Sequence, residues 1–371
     1  MSKPALPPVA RARAQCALLC ASVLLAGCAT TGTSTNRGIG APPAEGTWPL
    51  STKEHVDLWL HGFALVTGDT ARIPFFRRGY RERIRSIKGK RNIVTQLDAN
   101  VDRLSARFRM NPALVNAQFL PFYFSSFEQM QNAFNLFMRA GGDPRATYDP
   151  TMRQYFALFD ATFPQGQDRE WMRLYLESLA DESTRFYHDY WSTEQQSRLA
   201  TRHTVDSLWQ RSVRPRLQRF LAATQQENGE LILSLPLDGE GRTVPFAKRS
   251  NAVAVCFPDS QAAAAEAIYT FAHEVVQGIT TSAINDNTTP AEQRAGATNR
   301  YTANANVRAA ALLLQRATPE LAQGFMRYYL RSAGLNVPAG DPTSAFVAAF
   351  SVPDVIRDAL ARQFDIVLGG I

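Results

Sequence analysis

Cysteine is nearly missing from this sequence: Cys16, Cys20, Cys28 and Cys256 are the only four in 371 residues. Three of them fall within the first 28 positions. A disulfide-stapled scaffold and a Cys-pair metal site are therefore excluded for the rest of the chain. Histidine is scarce too, with five in all. No P-loop, no Gly-x-Gly-x-x-Gly after a strand-like run and no Gly-x-Ser-x-Gly elbow occurs, which removes the usual signs of nucleotide binding and serine hydrolysis. No internal repeat is visible, so solenoid and propeller architectures are excluded. Acidic side chains are absent from residues 1–27, which carry Lys3, Arg11 and Arg13. Beyond them 37 basic side chains face 33 acidic ones. That net +4, spread over the remaining length, is too mild for a nucleic-acid partner. What is present is ordinary: 45% hydrophobic and 20% charged residues, enough to exclude dominant disorder and to bury a sizeable core.

The first 27 residues have the order of a secretory signal. The basic positions come first, followed by the apolar run CALLCASVLLA at 16–26. That run is too short to span a bilayer as a mature helix, so it reads as a targeting segment. It ends in Leu25-Ala26-Gly27-Cys28, which resembles the lipobox of bacterial lipoproteins. The resemblance implies cleavage before Cys28, a diacylglycerol on its thiol and a further chain on its amine, an anchoring that one acyl chain does not give. Ala29 stands where a retention Asp would favour the inner membrane. The expected location is the outer membrane, facing the periplasm. Residues 28–47 are rich in Gly, Pro, Ser and Thr and read as a flexible tether. Without Cys16, Cys20 and a lipid-capped Cys28, only Cys256 remains. It lies in an apolar run and reads as a buried small hydrophobe rather than a nucleophile.

The body divides into a helical part, 48–228, and a part of small sheet plus helices, 229–371. The fold class expected is mainly α, of the α+β type. Val56, Leu60, Phe63 and Ala64 recur at helical spacing, as do Ile93, Leu97, Val101 and Leu104. Ser125-x-x-Glu128 has the form of a capping box before the aromatic stripe Phe127, Met130, Phe134 and Phe137, which reads as core rather than a ligand cage. Trp171, Leu174, Tyr175 and Leu179 mark another helix. Val205, Leu208, Trp209, Val213 and Leu217 mark a long one, with Pro215 expected to kink it. Arg202, Arg211, Arg214, Arg216 and Arg219 crowd that helix and read as a solvated face in preference to contact with anionic lipid or polymer. The period then changes. Leu231 to Leu235, Val244 to Phe246 and Ala252 to Phe257 read as a hairpin or three-stranded sheet. One helix is expected over 261–284, then a polar loop, then helices near 297–317, 319–333, 342–350 and 353–366.

The helix after the strands contains His273-Glu274-Val275-Val276-Gln277. This resembles the His-Glu-x-x-His helix of zincin-type metallopeptidases of the gluzincin kind. There, two imidazoles one turn apart bind zinc, and the Glu is the general base for the metal-bound water. The resemblance covers roughly 230–317 and implies a metal at His273 with Glu274 as catalytic residue. The sequence departs from the pattern at Gln277, whose neutral amide is a poor zinc ligand. Glu292 lies in a loop, and the next helix offers only Asn299, Asn304 and Asn306. His55, His61, His188 and His203 have no spacing that joins them to His273. Three readings compete: a coincidental pair, a zincin-like scaffold that has lost its metal, and a metallohydrolase with an unusual ligand set.

The expectation taken forward is a lipid-anchored envelope protein with no cofactor, binding an envelope protein or polymer. The alternative is a zinc-dependent hydrolase. The inert scaffold carries a structural expectation. Glu266, Thr270, His273, Glu274, Gln277, Thr280 and Thr281 form a polar stripe, and its buried groups need partners. Arg300, Asn304 and Arg308 on the facing helix are the expected partners, with Arg308 or Arg300 neutralising Glu274.

Overall fold

A computed structural model describes residues 47–67 and 71–369. The leader, the lipobox with Cys28 and the tether up to residue 46 lie outside the described residues. The chain is mainly helical with one small sheet. The helical part holds α1 (Glu54–Val66), α2 (Tyr80–Lys90), α3 (Gln96–Met110), α4 (Phe127–Arg139), α5 (Pro150–Thr162), α6 (Gly166–Glu182), α7 (His188–Ser197), α8 (Leu199–Ser207) and α9 (Arg214–Ala223). After the strands of the sheet come α10 (Ala265–Val275), α11 (Gln277–Asn285), α12 (Pro290–Arg294), α13 (Ala297–Ala317), α14 (Pro319–Ser332), α15 (Thr343–Ala349) and α16 (Asp354–Gly369). Among the described residues no helix is long and apolar enough to cross a membrane.

Local chemistry fixes several boundaries. Thr95 and Asp98 form a reciprocal capping box at the start of α3. Asp149 caps α5, whose first position is Pro150. The cap expected at Ser125 sits one residue later. Ser126 accepts from Gln129 N at 3.1 Å, and the Gln129 side chain returns to Ser125 N at 2.7 Å. The amide oxygen of Gln129 fills the role expected of Glu128. Before Pro215 the chain widens into a π turn over Leu208–Val213. Proline has no N–H to continue the normal ladder, and the wider turn absorbs the gap. A second π turn, Ser183–Tyr187, follows α6.

The sheet has order β1-β2-β4-β3, with β1 (Leu50–Ser51), β2 (Asn228–Ser234), β3 (Arg242–Ala247) and β4 (Ser250–Cys256). The expected hairpin is β3 against β4, antiparallel. It is extended by β2, which runs parallel to β4 from Asn228↔Ser250 to Ser234↔Cys256, and by β1. Leu231, Ile232, Leu233, Val253, Ala254 and Val255 are all buried. Parallel strands covered on both faces read as continuous apolar runs, as these do.

One contiguous core cluster runs from Trp48 to Phe364. Trp48 is its hinge between sheet and helices. Its ring meets Phe271 of α10 at 5.3 Å and Trp209 at 6.3 Å, both edge-on. The ring lies across Gly229, where an added Cβ would come within 2.3 Å of it. Only glycine permits that approach.

Candidate functional site

His273 and Glu274 close α10, and the expected single helix breaks behind them at Val276, where α11 begins. Both side chains are buried. The Glu274 carboxylate turns toward β3. It accepts from Gly241 N at 3.1 Å, Thr243 Oγ1 at 3.0 Å, Gln277 Nε2 at 3.0 Å and His273 Nδ1 at 3.2 Å. Gly241 is needed for this approach, since a Cβ there would lie 2.7 Å from Glu274 Cγ and 2.4 Å from the Ala254 carbonyl. Burial pushes the Glu274 carboxyl up, but His273, the Arg242 guanidinium and the Gly241 amide outweigh it and hold it below the ordinary range. The His273 ring stacks on Tyr329 with centroids 5.7 Å apart, and Tyr329 Oη donates to Gly239 O at 2.8 Å.

The partners expected from α13 are elsewhere. Arg300 sits over the ring of Tyr301, Arg308 over that of Phe346, and Asn304 donates to Ser351 O at 2.9 Å. The cation near Glu274 is Arg242, held by Gln118 Oε1 at 2.7 and 3.0 Å and stacked on Phe75. α10 presents Glu274 to the sheet, and α13 packs against another face of that helix.

Other predicted positions scatter. Glu292 caps its own short helix through Thr289. Asn306 is buried, and its Oδ1 has no hydrogen-bond partner. His55 Nε2 meets Phe124 O at 3.0 Å, His188 pairs with Glu54 at the surface at 2.9 Å, and His203 is exposed. Of the stripe, Thr270 donates to Asp238 O at 3.2 Å, Glu266 pairs with Arg331, Thr280 is buried and Thr281 is exposed. Among the described residues no group of three or more His, Cys, Asp or Glu is placed to hold a metal ion. The donors present do not fit zinc. Glu274 is saturated by four donors, the Gln277 amide points its N–H at Glu274, and one imidazole remains. Cys256 is buried, its thiol pushed up to about 12 by desolvation.

A larger buried polar cluster was missed. Its members are Asp57 and His61 of α1, Tyr80 and Lys88 of α2, Thr95 before α3, and Glu182 at the end of α6. His61 donates through Nε2 to Glu182 Oε1 at 3.0 Å and accepts from Tyr80 Oη at Nδ1, 2.9 Å away. Lys88 Nζ reaches Glu182 Oε2 at 2.7 Å and Asp98 at 2.8 Å, and Thr95 Oγ1 also donates to Glu182. Burial opposes ionisation of Glu182, but the His61 hydrogen bond and the Lys88 ammonium bring it down to about 2. Burial keeps the His61 imidazole below its ordinary range. The π turn after α6 sets the Tyr187 ring against His61, 4.4 Å between centroids.

Asp57 accepts from Trp191 Nε1 at 2.9 Å and from Leu235 N at 3.2 Å, tying α1 to the end of β2. Nearby, Arg198 donates to Phe257 O at 2.9 Å and pairs with Asp259 at 2.6 Å, and Arg77 also pairs with Asp259, at 2.8 Å. The carboxyl ends of parallel strands are where open sheets commonly admit ligands. Here that end is filled by Asp57, Arg198 and Arg77 from the chain itself. The arrangement is a set of ion pairs and hydrogen bonds within the chain, with Arg77 Nε buried and left without a hydrogen-bond partner.

Comparison of the chain with family models, with curated proteins and with solved structures finds no match.

Proposed function

We propose that this protein is a lipid-anchored component of the bacterial cell envelope, acylated at Cys28, held at the outer membrane facing the periplasm, and acting by binding or scaffolding. In this reading the His273–Glu274 helix end is a structural lock on an inert zincin-like scaffold. The observation that carries it is the saturation of Glu274. A general base must have a free lone pair facing a water or substrate. Glu274 instead accepts four hydrogen bonds from its own chain, one from Thr243 of β3 and one from Gly241 just before it. The zinc-dependent peptidase alternative lacks the donors it needs. The partner is an envelope protein or polymer.

Two measurements test this. The full chain extracted from bacterial membranes should carry the mass of a diacylglycerol and an amide-linked acyl chain on Cys28, and Cys28→Ala should release it from the membrane. An unmodified, soluble full-length chain would refute the anchor. Gln277→His should create zinc affinity if the scaffold is zincin-like; a variant that binds zinc no better than the parent refutes that part. Stoichiometric zinc in the purified parent would overturn the inert reading.

A further inference from the structure

At the amino ends of the parallel strands lies a groove of about 700 Å³. One wall is α9, with Arg214 and Gln218. The other is the end of the sheet, with Asn228 and the two-residue β3–β4 turn, Lys248-Arg249. Trp48 forms part of the lining. Three cations and two amides therefore converge on one opening, against a single carboxylate, Glu227, which pairs with Arg249 at 2.9 Å.

Two further observations bear on its occupant. Arg249 holds φ at +64°, in the left-handed region. Glycine or asparagine adopts that conformation at least cost, and two-residue hairpin turns favour them. A Lys-Arg turn thus keeps its cations at the groove in spite of local strain. Second, the chain enters the fold at this same end. Thr47 O accepts from Gly229 N at 3.1 Å, beside Asn228. Cys28 lies nineteen residues before Thr47, so a lipid there would tie this end of the fold to the bilayer.

We propose that the groove binds phosphoryl groups and docks the body on the phosphate headgroups of the membrane to which the chain is tethered. Arginine and lysine supply the charge, Gln218 and Asn228 the neutral donors. The location rests on the anchoring reading above; the chemistry of the groove does not. Of the five arginines read as a solvated face, Arg214 lines the groove and Arg216 is paired with Glu320 at 2.5 Å.

The test uses the chain from residue 28 onward with Cys28→Ala, which retains every described residue and carries no lipid. It is sedimented with vesicles of phosphatidylglycerol and phosphatidylcholine, and with phosphatidylcholine alone. Binding should require the anionic lipid. Each cation near such a surface contributes about fivefold, so Arg214→Gln, Lys248→Gln and Arg249→Asn together should weaken binding roughly a hundredfold. A control of equal charge on another face, Arg85→Gln, Lys90→Gln and Arg91→Gln, should bind like the parent. Glu227→Gln removes the opposing carboxylate and should tighten binding about fivefold, which keeps the proposal testable if the triple variant is poorly folded. Millimolar inorganic phosphate should release the chain where chloride of equal ionic strength does not. Equal losses in the control, or equal release by chloride, would overturn the proposal, as would groove-dependent retention on an anionic polysaccharide without vesicle binding. Groove-dependent binding of glycerol phosphate without vesicle binding would keep the phosphoryl site and overturn the docking. Because the tested chain has no acyl group, these outcomes are independent of whether Cys28 is acylated.

Discussion

Replacing Glu274 with alanine separates a structural lock from a catalytic base. The substitution removes the acceptor of Gly241 N–H and of His273 Nδ1, both enclosed beneath the sheet. A buried donor left without a partner costs about 1–3 kcal/mol. Thr243 is only partly buried and Gln277 is exposed, so both regain water and add little. The expected loss is about 3–5 kcal/mol, a large part of the total stability of a typical domain. Glu274→Gln keeps the shape and one acceptor oxygen but turns an N–H₂ toward existing donors, and should lose about half as much. Guanidinium unfolding of the chain from residue 28 measures both. The pH dependence gives a second reading. Glu274 is held below its ordinary 4.5 in the folded chain, so its contribution is complete above that value and lost as pH falls through the folded one. The gap between parent and Glu274→Ala should stay level from neutral pH down to about 5 and shrink in stronger acid. A general base is instead carried at a cost in stability, and its removal leaves stability unchanged or raises it. An unfolding midpoint for Glu274→Ala equal to that of the parent refutes the lock.

Glu182→Ala leaves the buried Lys88 ammonium with Asp98 and the Thr95 hydroxyl as acceptors, and should cost about 3–5 kcal/mol in denaturant unfolding. The double variant Glu182→Leu, Lys88→Met should recover most of that, because both charges then leave the interior together. Asp57 is raised to about 7, chiefly by burial. Its folded state holds a proton that the unfolded chain releases near 4, so stability should fall between about pH 4 and 7. Asp57→Asn should flatten that slope; an unchanged pH profile contradicts the assignment. Cys256 should resist aromatic disulfide reagents in the native chain and react only at the rate of unfolding, since burial disfavours its thiolate.

The helices were legible because their signal is local. Val205, Trp209, Val213 and Leu217 face inward as their spacing requires, and all four are buried. The three strand-like runs after Gln226 were legible for the same reason. Their partners were not: nothing in a run of Leu, Ile and Val says that β2 pairs parallel with β4 or that Leu50 joins from the far end of the chain. The break at Val276 was hidden, because it follows from Glu274 reaching toward Gly241 and Gln277 folding back onto Glu274. The expectation that Arg308 or Arg300 neutralises Glu274 failed in the same way, the nearby cation being Arg242. Helical spacing ranks residues on one helix, and it cannot rank a strand against a facing helix for one carboxylate.

One signal for the second cluster was present and went unread. In Val56–Val66 every residue is buried, and the only polar side chains are Asp57 and His61, one helical turn apart. A turn-spaced polar pair inside an otherwise apolar helix demands partners, because burying either group alone is costly. The partners arrive from Tyr80, from Glu182 and Trp191 far along the chain, and from the backbone of Leu235 beyond β2. These are the contacts that fasten α1 to α2, α6 and the sheet end, so the polar groups fix how helices of generic apolar faces are placed. The same reasoning applies to His273 and Glu274. The hydrogen bonds of Glu274 to Gly241 N and Thr243 Oγ1 specify where α10 meets β3.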